Sequence, residues 1–171
     1  MTEQQHFDVI TRYDEFDLRQ YPDHVLVQVD VDGDFLRAGN RGFRPLFRYI
    51  SGNNDRASRI SMTAPVIQQP LGALSHTISF VLPDGTTRSN VPLPGDAQVR
   101  TIEIVAHRVA ARRFSGRMSE SKFAQNRQTL LDSVNRAGLR LDGEVYSARF
   151  DPPWRPGFLK HNEVLVAIAR D

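Results

Sequence analysis

The chain has 171 residues, of which 40% are hydrophobic and 25% are charged, and its formal net charge is +2. This length and composition fit one ordinary globular domain and exclude a fibrous repeat or a wholly disordered chain. The absence of cysteine excludes disulfides, iron–sulfur clusters and thiolate chemistry. Of the 22 basic residues, all but Lys122 and Lys160 are arginines, whose planar, permanently charged side chain suits carboxylates and phosphates.

The N-terminal residues, the apolar runs and the charge balance bear on the compartment and the partners of the protein. Residues Met1–Ile10 are polar and include Glu3 and Asp8, so they lack the basic start and apolar core of a signal peptide. No run approaches the roughly 18 apolar residues of a spanning helix. The sequence therefore predicts a cytoplasmic protein with no membrane partner, and its balanced charge predicts no nucleic-acid partner.

The hydrophobic pattern predicts a regular order of elements after a loose segment over residues 1–12. In chain order these are strands Tyr13–Gln20 and His24–Val31, helix Phe35–Ser51, strands Ile60–Gln69 and His76–Leu82, a turn-rich loop Pro83–Gln98, strands Val99–Val105 and Arg108–Phe114, helix Glu120–Ala137, and strands Glu144–Phe150 and Glu163–Ala169.

Turn and cap residues add local detail to this order. The turn Tyr21–Asp23 predicts that the first two strands form a hairpin. Pro45 removes one hydrogen bond inside the first helix, which predicts a kink or a restart there. Ser119 is the expected N-cap of the second helix and Gly138 its stop.

The same sequence of strand, strand, helix, strand, strand occurs twice, in pseudo-repeats of about 13–90 and 99–171. We expect one domain over 13–171, favoured as a monomer, and a structural duplication. The predicted fold class is α+β, with an antiparallel or mixed sheet that is curled or barrel-like and carries one helix from each half.

The first helix carries a stripe of positive charge. At about 100° per residue, Arg37, Arg41, Arg44 and Arg48 fall within a sector of ~60°. No acidic residue lies between Phe35 and Ser51, which favours an anionic partner over a merely solvated face, since one sign of charge repels itself. The side expected to face the core comprises Leu36, Phe43, Leu46, Phe47 and Ile50.

A proline-rich loop near the C-terminus, Phe150–Lys160, holds the chain's single tryptophan. It presents Trp154, Arg155, Phe158 and Leu159, which could form a wall of an apolar ligand site. The alternative is that the loop packs its aromatic side chains on the sheet.

Motifs of catalysis are not found. The histidines, at positions 6, 24, 76, 107 and 161, show no metal-type spacing. There is no serine nucleophile elbow, Walker loop or dinucleotide-binding glycine pattern. The sequence therefore favours ligand binding over catalysis.

Three runs of residues carry a resemblance to a known family. They are FRYISGNN at Phe47–Asn54, ISMTAPV at Ile60–Val66, and DPPW followed by KHNEV between Asp151 and Val164. With the opening FDLRQY at Phe16–Tyr21, the sequence resembles the SOUL family of haem-binding proteins from Tyr13 to the C-terminus. This resemblance implies a distorted β-barrel of two pseudo-symmetric halves with one helix from each.

The resemblance also implies a ligand, haem or a related tetrapyrrole bound non-covalently near the first helix. Basic positions that contact the propionates in the family fall on Arg48 and Arg155. A further helix position falls on Asn40, with Arg41 and Arg44 available as neighbours. Phe158 and Trp154 are the expected apolar contacts in the late loop.

Ligation of the metal departs from the family pattern. A histidine proposed as an axial ligand in some relatives is replaced here by Gln20. His24 and Met62 are weak substitutes, because a methionine beside a proline turn more often fills a packing gap. We therefore expect apolar contacts and arginine–propionate pairs without a strong axial ligand, in a carrier, buffer or sensor.

Two other functions stay open. The duplicated architecture resembles effector-binding domains of the gyrase-inhibitor-like type, in which a buried carboxylate meets a cationic ligand; Glu103, Glu144 and Glu163 are the candidates here. A tetrapyrrole metal-dechelating enzyme is the third possibility, and the sequence assigns it no proton donor or metal acceptor.

Overall fold

The computed structural model describes residues 2–171. Its elements in chain order are β1 Glu3–Gln4, β2 Asp8–Arg12, β3 Asp17–Tyr21, β4 His24–Asp32, α1 Phe35–Ile50, β5 Thr63–Ala64, β6 Val66–Gly72, β7 Ser75–Val81, β8 Val99–Ile104, β9 His107–Phe114, α2 Glu120–Arg136, β10 Tyr146–Arg149, a short 3-10 helix Gly157–Leu159, and β11 Asn162–Ile168.

Most elements lie within a few residues of their predicted bounds. The Asp34 carboxylate accepts a hydrogen bond from the Arg37 backbone N–H and caps α1, which runs unbroken through Pro45 rather than restarting there. Ser119 caps α2 as predicted. Residues 8–12, assigned from the sequence to a loose segment, form β2, whose side chains are all exposed and so give no alternation of buried and exposed positions.

The predicted hairpin between the first two strands is wrong. β3 pairs with β2 and β9, whereas β4 pairs with β7 and β8. The turn at Pro22 was identified from local residue types, but strand partners here depend on contacts between residues far apart in the chain, which a local signal does not specify.

The chain divides into two compact units with interleaved segments. The first unit combines the residues up to Gln5 with Asp23–Val105, and the second combines His6–Pro22 with Ala106–Asp171. β3 therefore belongs with the elements of the C-terminal half.

The first unit packs α1 on an antiparallel sheet in the order β6-β7-β4-β8. Gly42 brings the helix close, because a Cβ built on it would lie 2.3 Å from Cγ1 of Ile78 on β7. The core around this contact includes Val27, Leu46 and Phe80.

The turn after α1 is held by side chains from the FRYISGNN run. Asn54 donates to the carbonyls of Tyr49 and Ser58 at 3.0 and 2.9 Å. The Tyr49 hydroxyl donates to the Pro92 carbonyl at 2.7 Å. Burial, aided by the nearby charge of Asp55, raises the pKa of Tyr49 to about 12, so this donor stays protonated at neutral pH.

The second unit packs α2 on β9 and β11 of an antiparallel sheet in the order β2-β3-β9-β11-β10. Phe123, Leu130 and Val134 supply the buried apolar side of α2. The predicted α+β class, with antiparallel strands and one helix contributed by each half, is confirmed.

Candidate functional site

Helix α1 presents three different sides. The buried side, which packs on the sheet, comprises Phe35, Ala38, Gly42, Leu46, Tyr49 and Ile50. The arginine stripe of Arg37, Arg41, Arg44 and Arg48 is exposed to solvent along its whole length. Between these two sides lies an exposed apolar strip, which the sequence analysis placed in the core.

Three residues of the predicted core side are in fact exposed. Leu36, Phe43 and Phe47, which we call the α1 apolar strip, are 51%, 41% and 49% exposed. The physical reason is the close approach at Gly42, which centres the buried side on the small residues Ala38 and Gly42 and leaves the strip at its margin. The apolar arc of the helix is wider than its contact with the sheet.

The two aromatic residues of the strip hold each other in place. The rings of Phe43 and Phe47 stack with centroids 5.8 Å apart and an interplanar angle of 15°. Phe43 also meets Phe80 of the core edge to face at 5.3 Å. The strip is therefore an ordered aromatic surface anchored at one end in the core.

The four arginines differ in how far their charge is compensated. Arg37 pairs with Asp34 at 3.7 Å, and Arg41 donates to the Asp32 carbonyl at 3.0 Å. Arg44 and Arg48 make no side-chain ion pair or hydrogen bond within residues 2–171. Because residues four apart are neighbours on a helix, these two free cations lie side by side and parallel to Phe43 and Phe47.

The late loop, which we call the proline loop and define as Asp151–Lys160, belongs to the second unit. Trp154 is 84% exposed and Phe158 is 77% exposed, so the alternative in which the loop packs its aromatics on the sheet is wrong. Arg155 is held by the Asp151 carboxylate at 2.8 Å. Arg155 is thus not free as Arg44 and Arg48 are.

Comparison with known proteins identifies the family. The model of the SOUL haem-binding proteins matches residues 2–167, nearly the whole chain. The chain belongs to the SOUL family. The SOUL-family resemblance seen in the sequence is therefore confirmed.

The curated relatives of this SOUL-family protein share modest identity. The chain is 28% identical to human heme-binding protein 2 over 81% of this chain and 71% of the relative. It is 26% identical to mouse heme-binding protein 1 over 72% of this chain and 68% of that protein. Among solved structures, the C-terminal domain of EcmrR matches with a TM-score of 0.69 at 11% identity, over 92% and 98% of the two chains; at this identity the likeness is one of fold.

Both candidate metal ligands of this SOUL-family protein are half-buried residues of the first unit. Met62 is half-buried and packs against the core of the first unit. His24 begins β4 and is half-buried, while Gln20, at the position of the lost histidine, donates to the Tyr21 carbonyl at 3.3 Å. Within residues 2–171 no group of three or more His, Asp or Glu side chains could hold a metal ion.

A buried charge cluster in the second unit was not foreseen from the sequence. Arg19 of β3 forms a bidentate pair with Glu163 of β11, at 2.8 and 2.7 Å, and donates to the Tyr21 hydroxyl at 3.0 Å. His161 lies 3.0 Å from the same carboxylate. The Arg19 guanidinium also stacks on the Phe7 ring at 4.0 Å.

The electrostatics of this cluster keep both partners charged. Burial acts to raise the pKa of Glu163, but the hydrogen bonds from His161 and Arg19 and their charges outweigh it, so the pKa lies below its usual value. Burial alone would lower the pKa of Arg19, yet the hydrogen bond and charge of Glu163 raise it above the ordinary value. Burial raises the pKa of Tyr21 to about 12.

The buried charge cluster contains Glu163, one of the three carboxylates that the sequence offers as sites for a cationic ligand. Glu163 is fully buried and its charge is balanced by Arg19, so the chain supplies its own cation there. Glu103 and Glu144 are exposed, and Glu103 lines an open cleft of about 510 Å³ together with Arg88 and Leu93. Of the three carboxylates, only Glu163 has the burial that such a site needs.

Of the two features that the sequence analysis missed, the α1 apolar strip has a signal in the sequence and the Arg19–Glu163 pair has none. The apolar arc of α1 spans about half of the helical wheel, from Ala38 to Phe47, which is wider than one sheet contact covers. That width could have indicated an exposed strip. The Arg19–Glu163 pair joins residues 144 positions apart, and no local pattern points to it.

Proposed function

We propose that this SOUL-family protein binds haem or a related tetrapyrrole, non-covalently, on the exposed side of α1. The observation that carries the proposal is the juxtaposition of the α1 apolar strip with two arginines, Arg44 and Arg48, whose charges have no partner within residues 2–171. The names of the curated relatives, heme-binding proteins 1 and 2, support the same ligand class.

The two rows of side chains match the two chemical parts of such a ligand. The macrocycle is flat and apolar, and covering Phe43 and Phe47 with it removes apolar surface from water at roughly 25 cal/mol per Å². The propionates are carboxylates, and a charge-assisted hydrogen bond to each of Arg44 and Arg48 contributes about 1.5–3 kcal/mol. Arg41 is the next cation along the stripe. It can bind a propionate only after its hydrogen bond to the Asp32 carbonyl is broken.

The metal plays a small part in this binding mode. Gln20 replaces the candidate axial histidine, and Met62 is packed against the core. Recognition then rests on the ring and its carboxylates, as in a carrier or buffer that tolerates several tetrapyrroles. A contribution from Arg155, Trp154 and Phe158 stays a prediction, and for Arg155 it requires release from Asp151.

Titration with hemin, followed at the Soret band, tests the proposal. Arg48→Glu and Arg44→Glu should each weaken binding by about tenfold or more, since each replaces an attraction with a repulsion. Arg88→Glu makes the same charge change at an exposed arginine of the same unit and should leave the curve unchanged. Phe47→Asp should weaken binding without removing a positive charge.

Metal-free protoporphyrin IX provides the second arm of the experiment. It should bind within about threefold of hemin, because no strong bond to the iron is lost, and the arginine variants should weaken both ligands alike. Curves for Arg48→Glu and Phe47→Asp that coincide with the wild-type curve would remove α1 from the site. A large loss of affinity for the metal-free ring would show a protein ligand to the metal.

A further inference from the structure

The proline loop displays three large apolar side chains to solvent. Trp154 and Phe158 are almost fully exposed, and Leu159 is 50% exposed. These three residues lie within six positions of one another. Large apolar side chains grouped on one exposed loop mark an interaction surface rather than ordinary scattered exposure.

The loop is nevertheless ordered by its own bonds. The Asp151 carboxylate accepts from the His161 backbone N–H and from Arg155. The Leu159 backbone N–H donates to the Pro156 carbonyl at 2.9 Å, and Gly116 donates to the Gly157 carbonyl at 3.0 Å. The apolar side chains therefore point outward from a defined backbone.

Part of the loop backbone needs no hydrogen bond from water. Pro152, Pro153 and Pro156 have no N–H group to satisfy. Arg155 and Lys160 donate their N–H groups to carbonyls inside the loop. These backbone groups therefore lose no bond to water when the loop leaves it.

Positive charge surrounds the apolar tip. Residues 113–122, whose turn at Gly116 is bonded to the loop, and residues 150–160 together hold five basic side chains and two acidic ones, Glu120 and Asp151. Asp151 is nine-tenths buried and paired with Arg155. The only two lysines of the chain, Lys122 and Lys160, both lie here.

We propose that the proline loop is a peripheral membrane contact that inserts Trp154, Phe158 and Leu159 into the interface of an anionic lipid bilayer. Tryptophan favours the boundary between headgroups and acyl chains, and flanking lysines and arginines attract anionic lipid. No helix among residues 2–171 is long and apolar enough to cross a membrane, but a loop contact needs no such helix. The inference does not rest on the proposed tetrapyrrole site.

The single tryptophan makes the test direct. The 171-residue chain, without tetrapyrrole, is mixed with vesicles of phosphatidylcholine alone or with an equal part of phosphatidylglycerol. We expect the emission of Trp154 to shift to the blue and the protein to sediment with the anionic vesicles, and both effects to weaken with added salt.

Variants separate the apolar and electrostatic parts. Phe158→Asp should lower the partition coefficient by at least about tenfold, and Lys160→Gln by about fivefold. Leu74→Asp is the matched control, because Leu74 is 69% exposed on the other unit and should bind vesicles as the wild type does. Circular dichroism checks that each variant is folded.

Three results would overturn the inference. The first is no blue shift and no sedimentation with anionic vesicles. The second is equal binding by Phe158→Asp and the wild type, and the third is an equal loss in Leu74→Asp, which would indicate a non-specific apolar effect. Because Arg44→Glu and Arg48→Glu should bind vesicles normally, failure here is distinguishable from failure of the tetrapyrrole site.

Discussion

Arg19 and Glu163 form a buried ion pair in which each side chain depends on the charge of the other. Both side chains are almost fully removed from water, with 6% and 1% exposure. The pair and its hydrogen bonds compensate the loss of hydration only while both charges are present. Replacing one residue of the pair therefore reveals the cost of leaving the other residue charged and buried without a counter-ion.

Glu163→Gln should destabilise the protein by about 3–5 kcal/mol, because it leaves the Arg19 guanidinium charged and buried without a counter-ion. Urea denaturation monitored by circular dichroism measures the change. Glu15→Gln is the matched control, since Glu15 pairs with Arg112 in the same unit but is 44% exposed, and it should cost less than about 1 kcal/mol. Similar losses for both variants would contradict the assigned role of burial.

The depressed pKa of Glu163 sets the direction of an acid response. A group whose pKa is lower in the folded than in the unfolded state stabilises the fold above its unfolded pKa, about 4.3, and loses that contribution as pH falls through the folded value. The stability difference between wild type and Glu163→Gln should shrink steadily as pH is lowered below about 4. Urea midpoints at a series of pH values provide the measurement; a constant difference would exclude a titrating Glu163.

Among the elements, α1 shows how one small residue positions a functional surface. Gly42 permits the close contact with Ile78, and this contact decides which apolar residues are buried and which form the strip. A larger residue at this position would displace the helix, and with it Phe43, Phe47 and the neighbouring arginines.

Gly42→Ala should destabilise the protein by about 1–3 kcal/mol, although alanine favours helix by about 1 kcal/mol, because the new methyl group overlaps Ile78. It should also weaken hemin binding through displacement of α1. Gly72→Ala is the control, since a Cβ there meets nothing within 4 Å, and its effect should stay within about 0.5 kcal/mol. A Gly42→Ala protein as stable as the wild type would show that the contact relaxes freely.

The elements also show what a sequence can and cannot predict. Caps and turns such as Ser119 and the residues after Ile50 are local, so the helix bounds were predicted closely. The arginine stripe was predicted because its spacing is fixed by the helix period alone. The exposure of Phe43 and Phe47 was missed because it depends on the contact between Gly42 and Ile78, and Ile78 lies on a separate element, β7.

For the whole molecule, the main feature is the exchange of segments between the two units. β2 and β3 lie near the N-terminus but pair within the sheet of the second unit, where β3 contacts β9 over five residue pairs from Asp17 to Tyr21. The sequence predicted a strand close to β3 but assigned residues 8–12, which form β2, to a loose segment. It could not predict this pairing, because β2 shows no alternation of buried and exposed positions and β9, the other partner of β3, lies far along the chain.

Removal of residues 1–22 should therefore destabilise the second unit far more than the first, since it deletes β3 and leaves Glu163 without Arg19. Hydrogen exchange should show lost protection in β9 and β11, with β4 and β7 retained. Removal of residues 1–5 only, which takes away the two-residue pairing with β5, is the control and should leave both sheets protected. Equal loss across both units would indicate that they unfold together.

The interleaving also sets an order of assembly during synthesis. Residues Asp23–Val105 form nearly all of the first unit, so most of the contacts of that unit become available once this segment has left the ribosome. The two strands made just before them, β2 and β3, pair with each other, but β3 has no partner on its other edge until His107–Phe114 has been translated. For that interval β3 has one unpaired edge on a growing chain, and unpaired strand edges favour aggregation. The β2–β3 pair therefore joins the rest of its sheet only after the first unit has been made.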